Sequence, residues 1–210
     1  AERIFSMGSH FVLYGHERIK IMREEIKRIK RKLCHKGAVI GIYEDTMEFP
    51  DGHTAKWDYI HHDGAAAVIP ALPDGRILMV RQYRNALERE TIEIPAGKLD
   101  DPKEPGIECA SRELEEETGY RCEHLEPLLT LHTTVAFCNE RIEVFAARNL
   151  IPSRQHLDED EFMDVEAYTM EELKEKIFSG ELQDSKTVAA ILAYEVKYCQ
   201  DRMEKRKTGK

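Results

Sequence analysis

Gly97–Tyr120 reads GKLDDPKEPGIECASRELEEETGY, and the run from Arg112 to Gly119 decides the fold. Pro105 suits a helix start and Gly119 a left-handed stop. Glu115, Glu116 and Glu117 therefore fall in a last helical turn, where partial negative charge already gathers. Glu113 and Glu117 add an i,i+4 like-charge pair, unfavourable by roughly 0.2–0.5 kcal/mol. Two local rules are broken together, as happens at functional sites. At about 100° per residue, Glu113, Glu116 and Glu117 span an arc of roughly 100° beside an apolar stripe of Ile107, Ala110 and Leu114. Clustered hard oxygen donors without His or Cys suit Mg²⁺ or Mn²⁺. Taken alone, the acids read first as a solvated Glu-rich face, and only the rest of the pattern overturns that.

The wider pattern is more specific. Gly97, Glu104, Arg112, Glu113, Leu114, Glu116, Glu117, Gly119 and Tyr120 reproduce a glycine, a glutamate, then R-E-apolar-x-E-E-x-G-apolar. This resembles the box of the Nudix hydrolases. Seven residues separate Glu104 from Arg112 as the pattern asks, but six rather than five separate Gly97 from Glu104. The extra residue falls in the loop around Asp101-Pro102-Lys103, where it leaves the phase of the helical acids unchanged. The resemblance implies that Glu113 and Glu117 ligate a divalent metal, that Glu116 ligates or orients it, and that the Ala96 carbonyl adds an oxygen. It gives Gly97, Glu104, Arg112 and Gly119 supporting roles, with Arg112 holding the loop on the helix through directional charge-assisted bonds.

Val80-Arg81-Gln82-Tyr83-Arg84 and Glu93-Ile94-Pro95-Ala96-Gly97 extend the likeness to the ADP-ribose pyrophosphatase branch, over residues 35–200 by motif order. In that branch Arg84 meets the substrate diphosphate, a role suited to a planar guanidinium. Glu93 either accepts from substrate or supports the loop. His156-Leu157-Asp158-Glu159-Asp160-Glu161 reads alone as a solvated acidic loop; by resemblance Glu159 is the general base and Glu161 a further metal ligand. Trp57 has a core role by default. In similar enzymes a tryptophan here stacks on adenine, and the N-terminal strands cross to a partner subunit, which implies a homodimer. One stretch departs from the branch: Val135 and Ala136 stand where a proline and a glycine are usual, so specificity is less fixed than reaction class.

The rest of the chain agrees with one enzyme domain. Its 210 residues are enough for a sizeable core, and a net charge of -9 argues against a general nucleic-acid binder. Five cysteines form neither a CxxC pair nor an even framework, which reads as reduced thiols in the cytoplasm. No apolar run is long enough to span a membrane, and no signal peptide is evident. Met7-Gly8-Ser9-His10 resembles an artificial leader, so residues 1–16 carry no functional reading.

The organisation expected is an N-terminal extension over 1–37, with an amphipathic helix from Glu17 to Leu33; a β-hairpin over 38–63; a Nudix domain over 64–200; and a charged tail over 201–210. Asp51-Gly52 and Pro73-Asp74-Gly75 both predict hairpins. Strands are expected at Glu90–Ile94, Leu125–Thr133, Glu140–Ala147 and Phe162–Thr169, and helices at Met170–Ser179 and Ser185–Arg206. This order favours an α/β fold, an α/β/α sandwich with a mixed sheet and extra N-terminal strands. The leading reading is Mg²⁺-dependent hydrolysis of ADP-ribose to AMP and ribose 5-phosphate, with Mn²⁺ as an alternative ion. Other ADP- or GDP-sugars, and a noncatalytic nucleotide-sensing module, are the competing readings.

Overall fold

The structure, a computed structural model, describes residues 25–157 and 162–199. Its centre is β4 (Ala65–Pro70), a continuous apolar run of the kind that marks a strand covered on both faces. Ala66 and Val68 turn toward helix α1 (Gly106–Thr118), meeting Cys109, Ala110 and Leu114 with Phe145 and Ala147. Ala67 and Ile69 turn the other way, into a larger cluster with Leu173, Leu182, Ala190 and Ile191 from the α2 (Met170–Ser179) and α3 (Ser185–Tyr194) region. The alternation of one strand thus separates two helical layers.

β4 lies in a four-stranded sheet between β7 (Ala96–Lys98), antiparallel, and β10 (Arg141–Ala147), parallel; β9 (Leu125–His132) closes the far edge. A second sheet has the order β12 (Met163–Tyr168), β5 (Ile77–Arg84), β6 (Arg89–Glu93). Two short strands, β8 (Tyr120–Arg121) and β11 (Ile151–Pro152), pair just beyond α1. The expected mixed α/β sandwich is therefore the fold. β4 and β5 do not form the expected hairpin: the Pro73-Asp74-Gly75 turn leaves a single bridge between Ala71 and Ile77, and the strands diverge into different sheets. β4 and the first half of β5 are buried and each strand finds other partners, so the turn makes a corner between sheets.

The N-terminal segment corrects the amphipathic-helix expectation. Residues 27–36 form β1 (Lys27–Lys36), which joins β2 (Gly41–Glu48) and β3 (Thr54–His61) in a three-stranded antiparallel sheet; residues 17–24 lie outside the described residues. Register shifts between Arg28 and Lys30 and between Leu33 and His35 insert extra residues. Ile26, Ile29 and Leu33 are all exposed, so their near-helical spacing marks no packed helix face. Arg31 anchors it, donating to both Asp45 oxygens at 2.6 Å and lying 3.6 Å over the Tyr59 ring. The β2–β3 hairpin forms as Asp51-Gly52 predicts, with Gly52 at φ 83°. Of the helix expected over Ser185–Arg206, α3 covers Ser185–Tyr194 and a π-helical turn Glu195–Cys199, residues 200–206 being outside the described residues.

Candidate active site

α1 ends at Gly119 in the left-handed conformation, φ 70°, with its N–H donating to the Glu115 carbonyl at 2.9 Å. The helix turns Glu113 and Glu117 inward, at 8% and 3% exposure, with Leu114 and Ala110 as neighbours on the same face. Burying carboxylates costs several kcal/mol unless other groups compensate. Part of that compensation comes from β7: the Ala96 N–H donates to Glu117 Oε2 at 3.1 Å. Gly97 follows at the closest approach of strand and helix, and a Cβ there would overlap the Glu113 carboxyl. The glycine of the pattern is thus a space requirement for a carboxylate.

Arg112 spans the site. Its Nη1 donates to Glu113 Oε1 at 2.7 Å and Glu116 Oε2 at 3.1 Å, and its Nη2 donates to the Lys98 carbonyl at 3.3 Å. Glu104 lies 3.6 Å from Nη2 and also accepts the Asp100 N–H at 2.7 Å. Arg112 Nε is buried without a hydrogen-bond partner, although Asp100 Oδ2 is 3.5 Å away. The guanidinium, its pKa raised against burial by Glu113 and its neighbours, touches both the Lys98–Glu104 loop and the helix. The extra loop residue is absorbed in a turn in which Asp101 accepts the N–H groups of Lys103 and Glu104, both at 2.8 Å.

Does this donor set suit a divalent ion? Glu113 and Glu117 are buried carboxylates beside a glycine cradle, and a cation already lies across Glu113 and Glu116. All the donors are hard oxygens, which fits Mg²⁺ or Mn²⁺. Among the described residues, however, no three acidic, His or Cys side chains converge closely enough to hold an ion. Gly97→Ala tests the cradle. Because the displaced group is the flexible end of Glu113, the variant should fold and lose divalent-ion affinity by roughly 10–100-fold. Isothermal titration with Mn²⁺ checks this, and unchanged affinity would contradict it.

A second constellation borders the first. Arg84 Nε and Nη2 donate to the two oxygens of Glu93, each at 2.7 Å, and Glu117 lies within electrostatic reach of the guanidinium. Glu93 is 3% exposed and also accepts from the Thr91 hydroxyl at 2.7 Å and from Lys186. Each of its oxygens thus has two protein donors. Burial alone pushes the Glu93 carboxyl up, but the Arg84 hydrogen bonds and the Lys186 charge outweigh it and hold it at about 2. A carboxyl lowered from 4.5 stabilises the fold fully above that value and loses the contribution as pH falls through about 2. Glu93→Gln should flatten the pH dependence of urea stability between those limits; an unchanged slope would contradict the assignment.

Not every expected residue joins these groups. Trp57 is not a core residue: it is 47% exposed on β3, opposite Asp45 and edge-on to Phe49. Glu159 and Glu161 lie outside the described residues. The chain leading to them is nonetheless fastened to the end of α1. Gln155 Nε2 donates to the Glu117 carbonyl at 2.7 Å, and the N–H groups of His156 and Ser153 donate to the carbonyls of Glu116 and Gly119 at 2.9 and 2.7 Å. Sequence reasoning missed Gln155, Thr91 and Lys186, and no spacing signal pointed to them. A cavity of about 720 Å³ between the β4–β5 turn, the start of β9 and α3 is lined by Cys122, His124, Arg148 and Tyr198, and by none of the box acids.

The NUDIX domain family matches residues 61–191. The ADP-ribose pyrophosphatase of Bacillus subtilis (strain 168) is 39% identical over 175 residues, covering 82% of this chain and 94% of that protein. The methanol dehydrogenase activator of Bacillus methanolicus is 41% identical over 169 residues, covering 80% and 91%. Among solved structures, an ADP compounds hydrolase superposes with a TM-score of 0.77 at 18% identity, covering 85% of this chain and 97% of that one.

Proposed function

Since the chain belongs to the Nudix hydrolase family, we propose that it splits the diphosphate of ADP-ribose with water, giving AMP and ribose 5-phosphate. The observation that carries this reading is the packing of Glu113 and Glu117 against the Ala96–Gly97 strand, with Arg84 beside them. The 39% identity to the Bacillus subtilis ADP-ribose pyrophosphatase supports the substrate.

Glu113, Glu116, Glu117 and the Ala96 carbonyl would hold Mg²⁺, with Glu161 as a further ligand. The ion, when bound, neutralises phosphoryl oxygen charge and makes water more acidic. Glu159 accepts the proton of the attacking water as the new P–O bond forms and the bridging P–O bond breaks. Arg84 binds the diphosphate, and Glu93 holds Arg84. Arg112 fixes the loop to the helix with Glu104, while Gly97 and Gly119 provide the close approach and the helix stop.

The protein is proposed to act as a homodimer, with Trp57 of one subunit stacking on the adenine in the other. Support comes from the N-terminal sheet, which exposes Ile29, Leu33 and Trp57; among the described residues β1 pairs only with β2. Cys34, Cys109, Cys122 and Cys138 are free thiols, in keeping with a reducing cytoplasm. No helix among the described residues is long and apolar enough to cross a membrane.

A second reading, hydrolysis of another ADP- or GDP-sugar, is favoured by the Thr134–Glu140 loop. Besides its departure at Val135 and Ala136, it is tied to the N-terminal sheet. Ile60 donates to the Phe137 carbonyl at 2.7 Å and Asn139 to the Ile60 carbonyl at 3.2 Å. Chromatography of products from ADP-ribose, ADP-glucose and GDP-mannose, each with Mg²⁺ or chelator, separates the readings. AMP and ribose 5-phosphate formed fastest from ADP-ribose is the expected result; faster cleavage of another sugar would replace the substrate.

A further inference from the structure

Lys186 is the second residue of α3, 8% exposed, and its amine donates to Glu93 Oε2 and, at 2.9 Å, to Asp184 Oδ2. Arg84, Glu93, Lys186 and Asp184 thus form a string of alternating charge. The string is locked at its far end. Asp184 caps α3 by accepting the Thr187 N–H at 3.0 Å and the Thr187 hydroxyl at 2.5 Å, and that hydroxyl accepts the Ile94 N–H at 3.0 Å. The first turn of α3 is therefore fastened to Glu93 and Ile94 together, directly before Pro95 and the Ala96–Gly97 strand.

A buried amine is costly, and well-packed apolar side chains often replace buried ion pairs without loss of stability. A gain in positioning explains its presence better than a gain in stability. Thr91 holds Glu93 Oε1 and Lys186 holds Oε2, so the carboxylate is fixed independently of Arg84. Arg84 then docks on that fixed plane through Nε and Nη2, leaving Nη1 outside the pair on a side chain 41% exposed. Without Lys186, Oε2 is held by Arg84 alone and Asp184 becomes a like charge near Glu93.

We infer that Lys186 is a positioning residue: by fixing Glu93 it sets which edge of Arg84 the substrate diphosphate meets. The inference rests on Arg84 being the diphosphate ligand. Lys186 itself, with a side chain 10% exposed, works through its neighbours.

Two measurements on Lys186→Met test it. The Arg84 Nε–H resonance, identified by its loss in Arg84→Lys, reports the pairing without any substrate. It should shift and exchange with water about tenfold faster in Lys186→Met. In turnover of ADP-ribose, KM should rise about tenfold while kcat stays within about twofold, because misorienting Arg84 weakens the bound ground state and the transition state equally and so acts on binding. Lys186→Arg should restore both readouts, and Lys186→Gln carries the same test should the methionine variant not fold. An unchanged Arg84 resonance, or a fall in kcat with KM unchanged, overturns the inference. If the wild-type chain cleaves no nucleoside diphosphate sugar, the substrate reading fails instead, and the Arg84 resonance alone decides the role of Lys186.

Discussion

Glu117→Gln is expected to lower ADP-ribose turnover on the order of 10³-fold while the protein stays folded. The size follows from the proposed role: Glu117 would be one charged donor to an ion worth several kcal/mol of transition-state stabilisation. The survival of the fold follows from geometry. Glu117 accepts the Ala96 N–H at 3.1 Å, and a glutamine amide keeps an oxygen in the same place to accept it. Burial also favours the change in one respect, because the neutral side chain relieves both the desolvation cost and the repulsion from Glu113. The lost attraction to Arg84 acts the other way, so thermal unfolding of the variant should stay cooperative and near that of the wild type. Near-wild-type turnover in a folded Glu117→Gln protein would contradict its role as a ligand.

Glu159→Gln should reduce kcat on the order of 10²–10⁴-fold with little change in KM, since a general base acts on the proton in flight and adds little to substrate binding. The role comes from the family likeness. In the described chain before these acids, Gln155 and His156 donate to the carbonyls of Glu117 and Glu116 at the end of α1, and Ser153 to that of Gly119 just past it. Glu161→Gln separates the two acids: as a ligand variant it should weaken Mn²⁺ binding, which Glu159→Gln should leave intact. A large loss of kcat in Glu161→Gln with full metal affinity would exchange the two roles. Unchanged kcat in Glu159→Gln would remove it as the base.

What can be read from the chain follows from how local each signal is. The α1 helix is legible because Pro105, Gly119 and the apolar stripe fix its ends and its phase from neighbouring residues alone. So is the β2–β3 turn, where Asp51-Gly52 supplies the positive φ that the hairpin needs. β1 reads wrongly as a helix because Ile26, Ile29 and Leu33 keep a near-helical spacing, while its pairing with β2 is decided by the partner strand. The Pro73-Asp74-Gly75 turn marks a reversal correctly, yet it cannot say that β4 chooses β7 and β10 over β5. Lys186 is invisible for the same reason: it meets Glu93 across 93 positions of sequence, and a lysine one step inside a helix carries no signal of burial. Glu93 stands out only through the run in which it sits. Its filled set of donors, which favours the supporting role over substrate contact, exists only once β5, β6 and α3 are brought together.

The most direct measurement is Mn²⁺ binding to the purified chain, followed as loss of the free-ion paramagnetic resonance signal, in wild type and in Glu113→Gln/Glu117→Gln. Saturable binding by the wild type, strengthened by ADP-ribose and absent from the folded double variant, is the result expected if carboxylates of α1 hold the ion. Equal binding by both proteins, or none by a wild type that still cleaves ADP-ribose in chelator, would contradict it.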